Sequence, residues 1–164
     1  MVFLLLQIKA DLENLTNLQQ EDPSTFVYYF KVKCTSCNEP SDKESGLTAG
    51  EQYDIPGSRG TAHLVQKCKF CGRTGTITLV EGKGRPLTAE DSESQKEAPV
   101  ACFDCRGMEP IEFFPREGWV AEGVESGKKF EVDLTELEHV DYDEKAKESV
   151  GVYNVEHSFK VTKG

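Results

Sequence analysis

Hydrophobic and polar residues alternate with a period of two along most of this chain, the spacing of strands that bury one face. Leu4, Leu6, Ile8, Ala10 and Leu12 are interleaved with Gln7, Lys9, Asp11 and Glu13, which predicts a half-buried first strand. Glu21-Asp22-Pro23-Ser24 is a turn, after which Phe26, Tyr28, Phe30 and Val32 line one face of a second strand and Lys31 and Lys33 the other. Residues 38–60 are rich in glycine and proline, with room for one short strand at Tyr53 to Ile55. Ala62 to Lys67 and the β-branched stretch Thr76 to Val80 predict a hairpin. Residues 81–99, with Gly82, Gly84, Pro86 and a polar run, are expected to be a loop joining two halves. Beyond it Ile111 and Phe113 alternate, Gly118 to Val124 and Lys128 to Leu134 flank Glu125-Ser126-Gly127 as a second hairpin, and Val150 to Val161 is a long last strand. Helix is expected only as a turn or two, at Thr135 to Val140 and Tyr142 to Ser149. Trp119 and His157 are expected in the core, His63 and His139 in solvent.

The chemistry is concentrated where predicted strands end, in Cys34-Thr35-Ser36-Cys37 and Cys68-Lys69-Phe70-Cys71. Four thiolates close a tetrahedron around Zn²⁺, and two residues between paired cysteines let one tight turn supply two corners. Asn38 and Gly72 follow the pairs, the residue types that most readily take the left-handed backbone of a knuckle turn. The 30 residues between the pairs place the two knuckles on separate hairpin ends. The competing reading is two unrelated reduced pairs. A third pair, Cys102-Phe103-Asp104-Cys105, has redox-style spacing, but Arg106-Gly107 and Pro110 follow, so no helix starts there to lower a thiol pKa. Structural cysteines are the favoured reading, a weak second metal or redox site the alternative. Val32-Lys33-Cys34 and Val100-Ala101-Cys102 also echo one another at an offset of 68 residues, as a decayed duplication or by chance.

Composition narrows the function. A chain of 164 residues, 37% hydrophobic, is long enough for one domain, residues 1–164, that buries a core without depending on metal throughout. The formal charge of −10 lies wholly in residues 87–164, with 9 basic and 19 acidic side chains, whereas 1–86 carries 10 of each. The expectation is a first half, 1–86, with the zinc knuckles and an acidic, metal-free second half, 87–164. Nucleic acid is not an expected partner, because phosphate binding demands a basic face. Lys31, Lys33, Lys67, Lys69 and Arg73 are read first as compensation for the formal −2 of a Cys₄ zinc site and only distantly as an RNA-binding patch. No apolar run approaches the ~20 residues of a membrane helix, and the apolar opening Val2 to Leu6 breaks at Gln7 without a basic flank. Six cysteines then belong in a reducing compartment, the cytoplasm, with the nucleus also open. Gly57-Ser58-Arg59-Gly60 lacks the remaining positions of a phosphate loop, and a closed Cys₄ site leaves zinc no catalytic position. Asp141-Tyr142-Asp143-Glu144 is either a solvated acidic loop or a steering surface for a basic partner.

Several of these stretches carry a resemblance. Cys34-Thr35-Ser36-Cys37, Gly60 through Val65-Gln66-Lys67-Cys68-Lys69-Phe70-Cys71, Cys105-Arg106-Gly107-Met108-Glu109-Pro110, Ala121-Glu122-Gly123-Val124-Glu125-Ser126-Gly127 and Asp141-Tyr142-Asp143-Glu144-Lys145 with Glu148-Ser149-Val150-Gly151 together resemble the eukaryotic CXXC-motif-containing zinc-binding protein family, over essentially the whole chain. The resemblance implies an all-β fold of two pseudo-symmetric β halves, packed as a sandwich-like single domain. It implies one structural zinc in the first half, carried onto Cys34, Cys37, Cys68 and Cys71, and no catalytic activity. Cys102 lies outside the family's pattern. The expected function is a monomeric, non-enzymatic zinc-stabilised scaffold that binds another protein; the alternative is metal handling or thiol redox chemistry through Cys102 and Cys105.

Overall fold

The alternating first segment is strand β1 (Val2–Glu13), which buries Leu4, Leu6, Ile8 and Ala10 and leaves the residues between them half-covered, as a period of two requires. A computed structural model describes residues 2–163, mostly β with one short helix. Asn14 takes the left-handed conformation at φ 55° and turns the chain into β2 (Leu15–Gln20). There follow β3 (Val27–Cys34), β4 (Ser45–Thr48), the two-residue strands β5 (Tyr53–Asp54) and β6 (Thr61–Ala62), β7 (Leu64–Lys67) and β8 (Thr74–Leu79). Helix α1 (Ala89–Glu93) separates these from β9 (Ala98–Arg106), β10 (Met108–Phe114), β11 (Trp119–Gly123), β12 (Lys129–Val132), β13 (His139–Asp143) and β14 (Glu148–Thr162).

Every pairing is antiparallel. The largest sheet has the order β13-β14-β1-β9-β8-β7, and two three-stranded sheets run β10-β3-β4 and β12-β11-β2. Each of these three mixes strands from residues 1–86 and 87–164, so the halves interlock within sheets instead of stacking as separate layers. Exchanging β1 with β9, β2 with β10, β3 with β11, β4 with β12, β7 with β13 and β8 with β14 reproduces all three strand orders. That correspondence overrides the echo at 68 residues: Cys34 ends β3, whereas Cys102 sits in the middle of β9, the counterpart of β1.

One hydrophobic cluster runs through both halves. At its centre Tyr28 meets Phe26 and Phe103 edge to face at 4.7 and 5.2 Å, and Phe26 meets Trp119 at 5.0 Å, the arrangement that aromatic quadrupoles favour. Gln20 Nε2 donates to the Tyr28 hydroxyl at 2.8 Å, and burial pushes that phenol up to about 12.

Two local expectations are corrected. The expected helix at 135–140 is a turn over 135–138 that leads into β13, and that at 142–149 is the end of β13, a turn and the start of β14, because β13 pairs with β14 from His139↔Val152 to Asp143↔Glu148 and the ladder supplies partners to both backbones. The loop at 81–99 contains α1, whose Thr88 and Asp91 form a reciprocal capping box. The helix docks on β1 through Ser92 Oγ, which accepts from Leu12 N at 2.8 Å.

Candidate metal centre

Both knuckles are built by backbone hydrogen bonds before any metal is considered. Asn38 N donates to Cys34 O at 2.8 Å while Cys34 N donates to Glu39 O at 3.0 Å. Gly72 N to Cys68 O and Cys68 N to Arg73 O repeat the pattern at 2.9 and 2.8 Å. Asn38 and Gly72 carry the predicted left-handed backbone, at φ 62° and 74°. The first knuckle ends β3 and the second joins β7 to β8, as the spacing of the pairs suggested.

The four sulfurs lie within 4.8 Å of one another. Cys34 Sγ is 3.6 Å from Cys71 Sγ, and Cys37 Sγ is 3.6 Å from Cys68 Sγ, so each close contact joins one knuckle to the other. Four sulfurs at ~2.3 Å from a central zinc stand about 3.8 Å apart, and the donor set fits that ion in number, chemistry and spacing. The electrostatics agree. Amides of Cys37 and Ser36 hold the Cys34 thiol down to about 6, and those of Cys71 and Phe70 lower Cys68. The Glu39 amide favours the Cys37 thiolate as well, but desolvation and the thiols of Cys68, Cys34 and Cys71 push it up to about 12. Four thiolates at this separation need a central cation.

Beside the knuckles lies a cavity of about 370 Å³ whose wall includes Lys43, Lys67, Lys69, Arg73 and Met108. Phe70, at the tip of the second knuckle, is 74% exposed on its rim. Of the five cations assigned to charge compensation, Lys67, Lys69 and Arg73 face this cavity, and Arg73 also donates to Ser36 Oγ at 3.2 Å. Lys31 instead lies over the Phe114 ring, 5.9 Å from its centroid, and Lys33 stands opposite Glu109 on β10.

The third cysteine pair is not part of this centre. Cys102 and Cys105 are buried on β9, in unbroken register with Leu5 and Val2 of β1. Three positions of extended chain separate their Cα atoms by about 10 Å and turn the side chains to opposite faces, beyond the ~7 Å limit for a disulfide. Burial raises both thiols, Cys105 to about 12, where nearby Glu109, Asp104 and Cys102 add to the effect. A raised thiol pKa disfavours the thiolate, the nucleophilic form.

The histidines are placed less simply than their neighbours suggested. His63, expected in solvent, is buried and its Nδ1 accepts from Leu79 N at 2.9 Å, with desolvation lowering its pKa. His157, expected in the core, is exposed, although its Nε2 accepts from Phe113 N at 3.2 Å. Asp143, expected on a solvated loop, is only 1% exposed. Trp119 is in the core as expected.

The family model described as CXXC motif containing zinc binding protein, eukaryotic, matches residues 5–160. A Xenopus laevis protein of that description is 47% identical over 160 residues, 97% of this chain and 98% of the relative. The Homo sapiens counterpart is 46% identical over 155 residues, 94% of this chain and 95% of the relative. Among solved structures, the crystal structure of C1orf123 superposes with a TM-score of 0.90 at 43% identity, covering 98% of this chain and 99% of the other. A hypothetical protein from Plasmodium falciparum superposes at 0.85 and 27% identity, covering 98% and 100%.

Proposed function

This chain belongs to the eukaryotic CXXC motif containing zinc binding protein family, and from that premise we propose that it is a non-enzymatic zinc-stabilised β scaffold that binds another protein. Cys34, Cys37, Cys68 and Cys71 hold one structural Zn²⁺ per chain. The observation that carries the reading is the crossing of the short sulfur contacts, Cys34 to Cys71 and Cys37 to Cys68, which ties β3 to the β7–β8 hairpin across two different sheets. Metal at that point would join elements that share no backbone ladder. With four protein donors zinc retains no open coordination position, so its role is to hold structure and not to activate water. The strand correspondence supports two pseudo-symmetric halves, of which only the first keeps the four cysteines.

The partner surface is assigned to the edge strand β13. Val140 and Tyr142 are 62% and 51% exposed there, beside the exposed carboxylates of Asp141 and Glu144. An unpaired strand edge with apolar side chains is a template for association, and the adjacent carboxylates select a basic partner. No observation favours the thiol alternative, since Cys102 and Cys105 can neither pair nor reach a common ligand from opposite faces of β9. Metal analysis tests the central claim. One zinc per chain is expected in the native protein, and Cys37→Ser should lose it while far-ultraviolet circular dichroism keeps its β signal. Full zinc content in the Cys37→Ser protein overturns the assignment.

A further inference from the structure

The strand correspondence sets the turn after β3 against the turn after β11, and the β7–β8 turn against the β13–β14 turn. At the first, Gly127 N donates to Gly123 O and Gly123 N donates to Lys128 O, both at 2.9 Å. These are the two bonds that Cys34 makes with Asn38 and Glu39. Gly127 has φ 72°, matching Asn38, and Lys147 has φ 56°, matching Gly72. The register pair Asp143↔Glu148 closes the β13–β14 turn at the positions of Cys68 and Arg73. Gly123, Ser126, Asp143 and Ala146 therefore occupy the places of Cys34, Cys37, Cys68 and Cys71.

The polar contacts correspond as well. Asp143 Oδ1 accepts from Lys145 N and Ala146 N at 3.0 and 3.1 Å, the amides two and three residues on that in the first half approach the Cys68 sulfur. Ser126 Oγ accepts from Lys128 N at 3.1 Å, as Cys37 is approached by the Glu39 amide. Ser126 Oγ then donates to Asp143 Oδ2, joining the two turns where the Cys37 and Cys68 sulfurs meet in the metal centre. Gly123 has no positive φ and does not need to be glycine for its backbone. A Cβ there would stand 2.7 Å from both Asp143 Oδ2 and Ser126 Oγ. The space that a fourth ligand would use is already filled by the carboxylate.

We infer that the second half contains the metal-free counterpart of the zinc knuckles, in which the Asp143 carboxylate, clasped by Ser126 and two turn amides, takes over the work of the metal. The anion gathers the donors that a thiolate would have gathered, and Gly123 leaves it room. The backbone of a second four-cysteine site is thus already in place, lacking only its ligands.

The test is the fourfold variant Gly123→Cys, Ser126→Cys, Asp143→Cys and Ala146→Cys in the full chain, with the first centre untouched. Zinc content should rise from one to two per chain, and cobalt substitution should double the thiolate-to-cobalt absorbance. A folded variant that still holds one metal overturns the inference. In parallel, Asp143→Ala should retain its single zinc while the amides of Lys145 and Ala146 lose hydrogen-exchange protection and the melting temperature falls. Unchanged protection at those amides overturns the clasp, and this second variant decides alone if the fourfold variant does not fold.

Discussion

Asp91 shows how much one side chain can organise. Its carboxylate accepts from Thr88 N, Thr88 Oγ1 and both terminal nitrogens of Arg85, fixing the start of α1 against the turn that precedes it. The hydrogen bond from Arg85, with those from Thr88, holds its pKa at about 2, below the ordinary aspartate value of 3.8. A folded pKa below the unfolded one stabilises the fold in full above the unfolded value, and the contribution disappears as pH falls through the folded value. Asp91→Asn should therefore cost roughly 1 kcal/mol near neutral pH and only a fraction of that near about pH 2, where the folded-state carboxylate is half protonated, checked by urea midpoints at both. Legibility in the sequence differs at this scale for a physical reason. Cys34, Cys37, Cys68 and Cys71 stood out because a knuckle is built within six consecutive residues, so spacing reveals it. Asp143 did not, because its partner Ser126 is reached only through the packing of two hairpins from different sheets, and a carboxylate within an acidic run looks solvated. His63 was missed for the same cause, its acceptor role depending on Leu79 in the neighbouring strand.

Elements were legible wherever alternation and turn chemistry agreed. β1, β3, the β11–β12 hairpin and β14 all lie on the predicted stretches. α1 escaped because five helical residues are too few to show a period, although Thr88-Ala89-Glu90-Asp91 carries the spacing of a capping box. β13 escaped because its strand character comes from its ladder to β14 and not from its own side chains, three of which are exposed. The knuckles are the elements whose conformation should be most sensitive to substitution. Gly72 sits at φ 74°, and a Cβ added there would meet only Lys67 Cε, at 3.7 Å. Space is therefore not what a side chain lacks, and Gly72→Val would lose stability through backbone strain, about 1–2 kcal/mol, and release metal faster to a chelator. Asn38→Gly should change stability by no more than a few tenths of a kcal/mol and leave metal content intact. Chelator-challenge kinetics and thermal melts distinguish the two. Removing the metal should in turn expose amides at Cys34 to Asn38 and Cys68 to Gly72, leaving protection in β1, β9 and β14 unchanged. β3 remains paired with β10, and β8 with β9, whatever the metal does. Hydrogen exchange before and after chelation reads this directly.

At the scale of the molecule, the interlocking of the halves turns an asymmetry of sequence into an asymmetry of edges. β7 and β13 are the two outer strands of the six-stranded sheet. The first adjoins the second knuckle and its cations Lys67, Lys69 and Arg73, while the second carries Asp141 and runs into Glu144. The knuckle's three cations thus stand at one edge of the sheet and the exposed carboxylates of Asp141 and Glu144 at the other, ahead of Lys145 and Lys147 in the β13–β14 turn, a placement that counting charges per half could not give. The interlocking itself was hidden from the sequence, since which strands pair is set by contacts remote along the chain. Among the described residues no helix is long and apolar enough to cross a membrane. Tyr142 and Val140 give the acidic edge the apolar area that binding energy requires, and the carboxylates supply attraction over about one Debye length. Asp143 has no part in that surface, being buried in the clasp with Ser126, so replacing it would unsettle the fold and say nothing about a partner. Asp141→Lys combined with Glu144→Lys reverses the exposed charge and leaves Asp143 in place. The double variant should keep one zinc per chain and its melting temperature, yet lose association with a basic protein partner, most steeply at low salt. Lys67→Glu with Lys69→Glu is the matched reversal at the other edge and should leave that association intact. The opposite outcome, loss only in the lysine variant, would move the interface to Phe70 and the cation-lined cavity beside the metal centre.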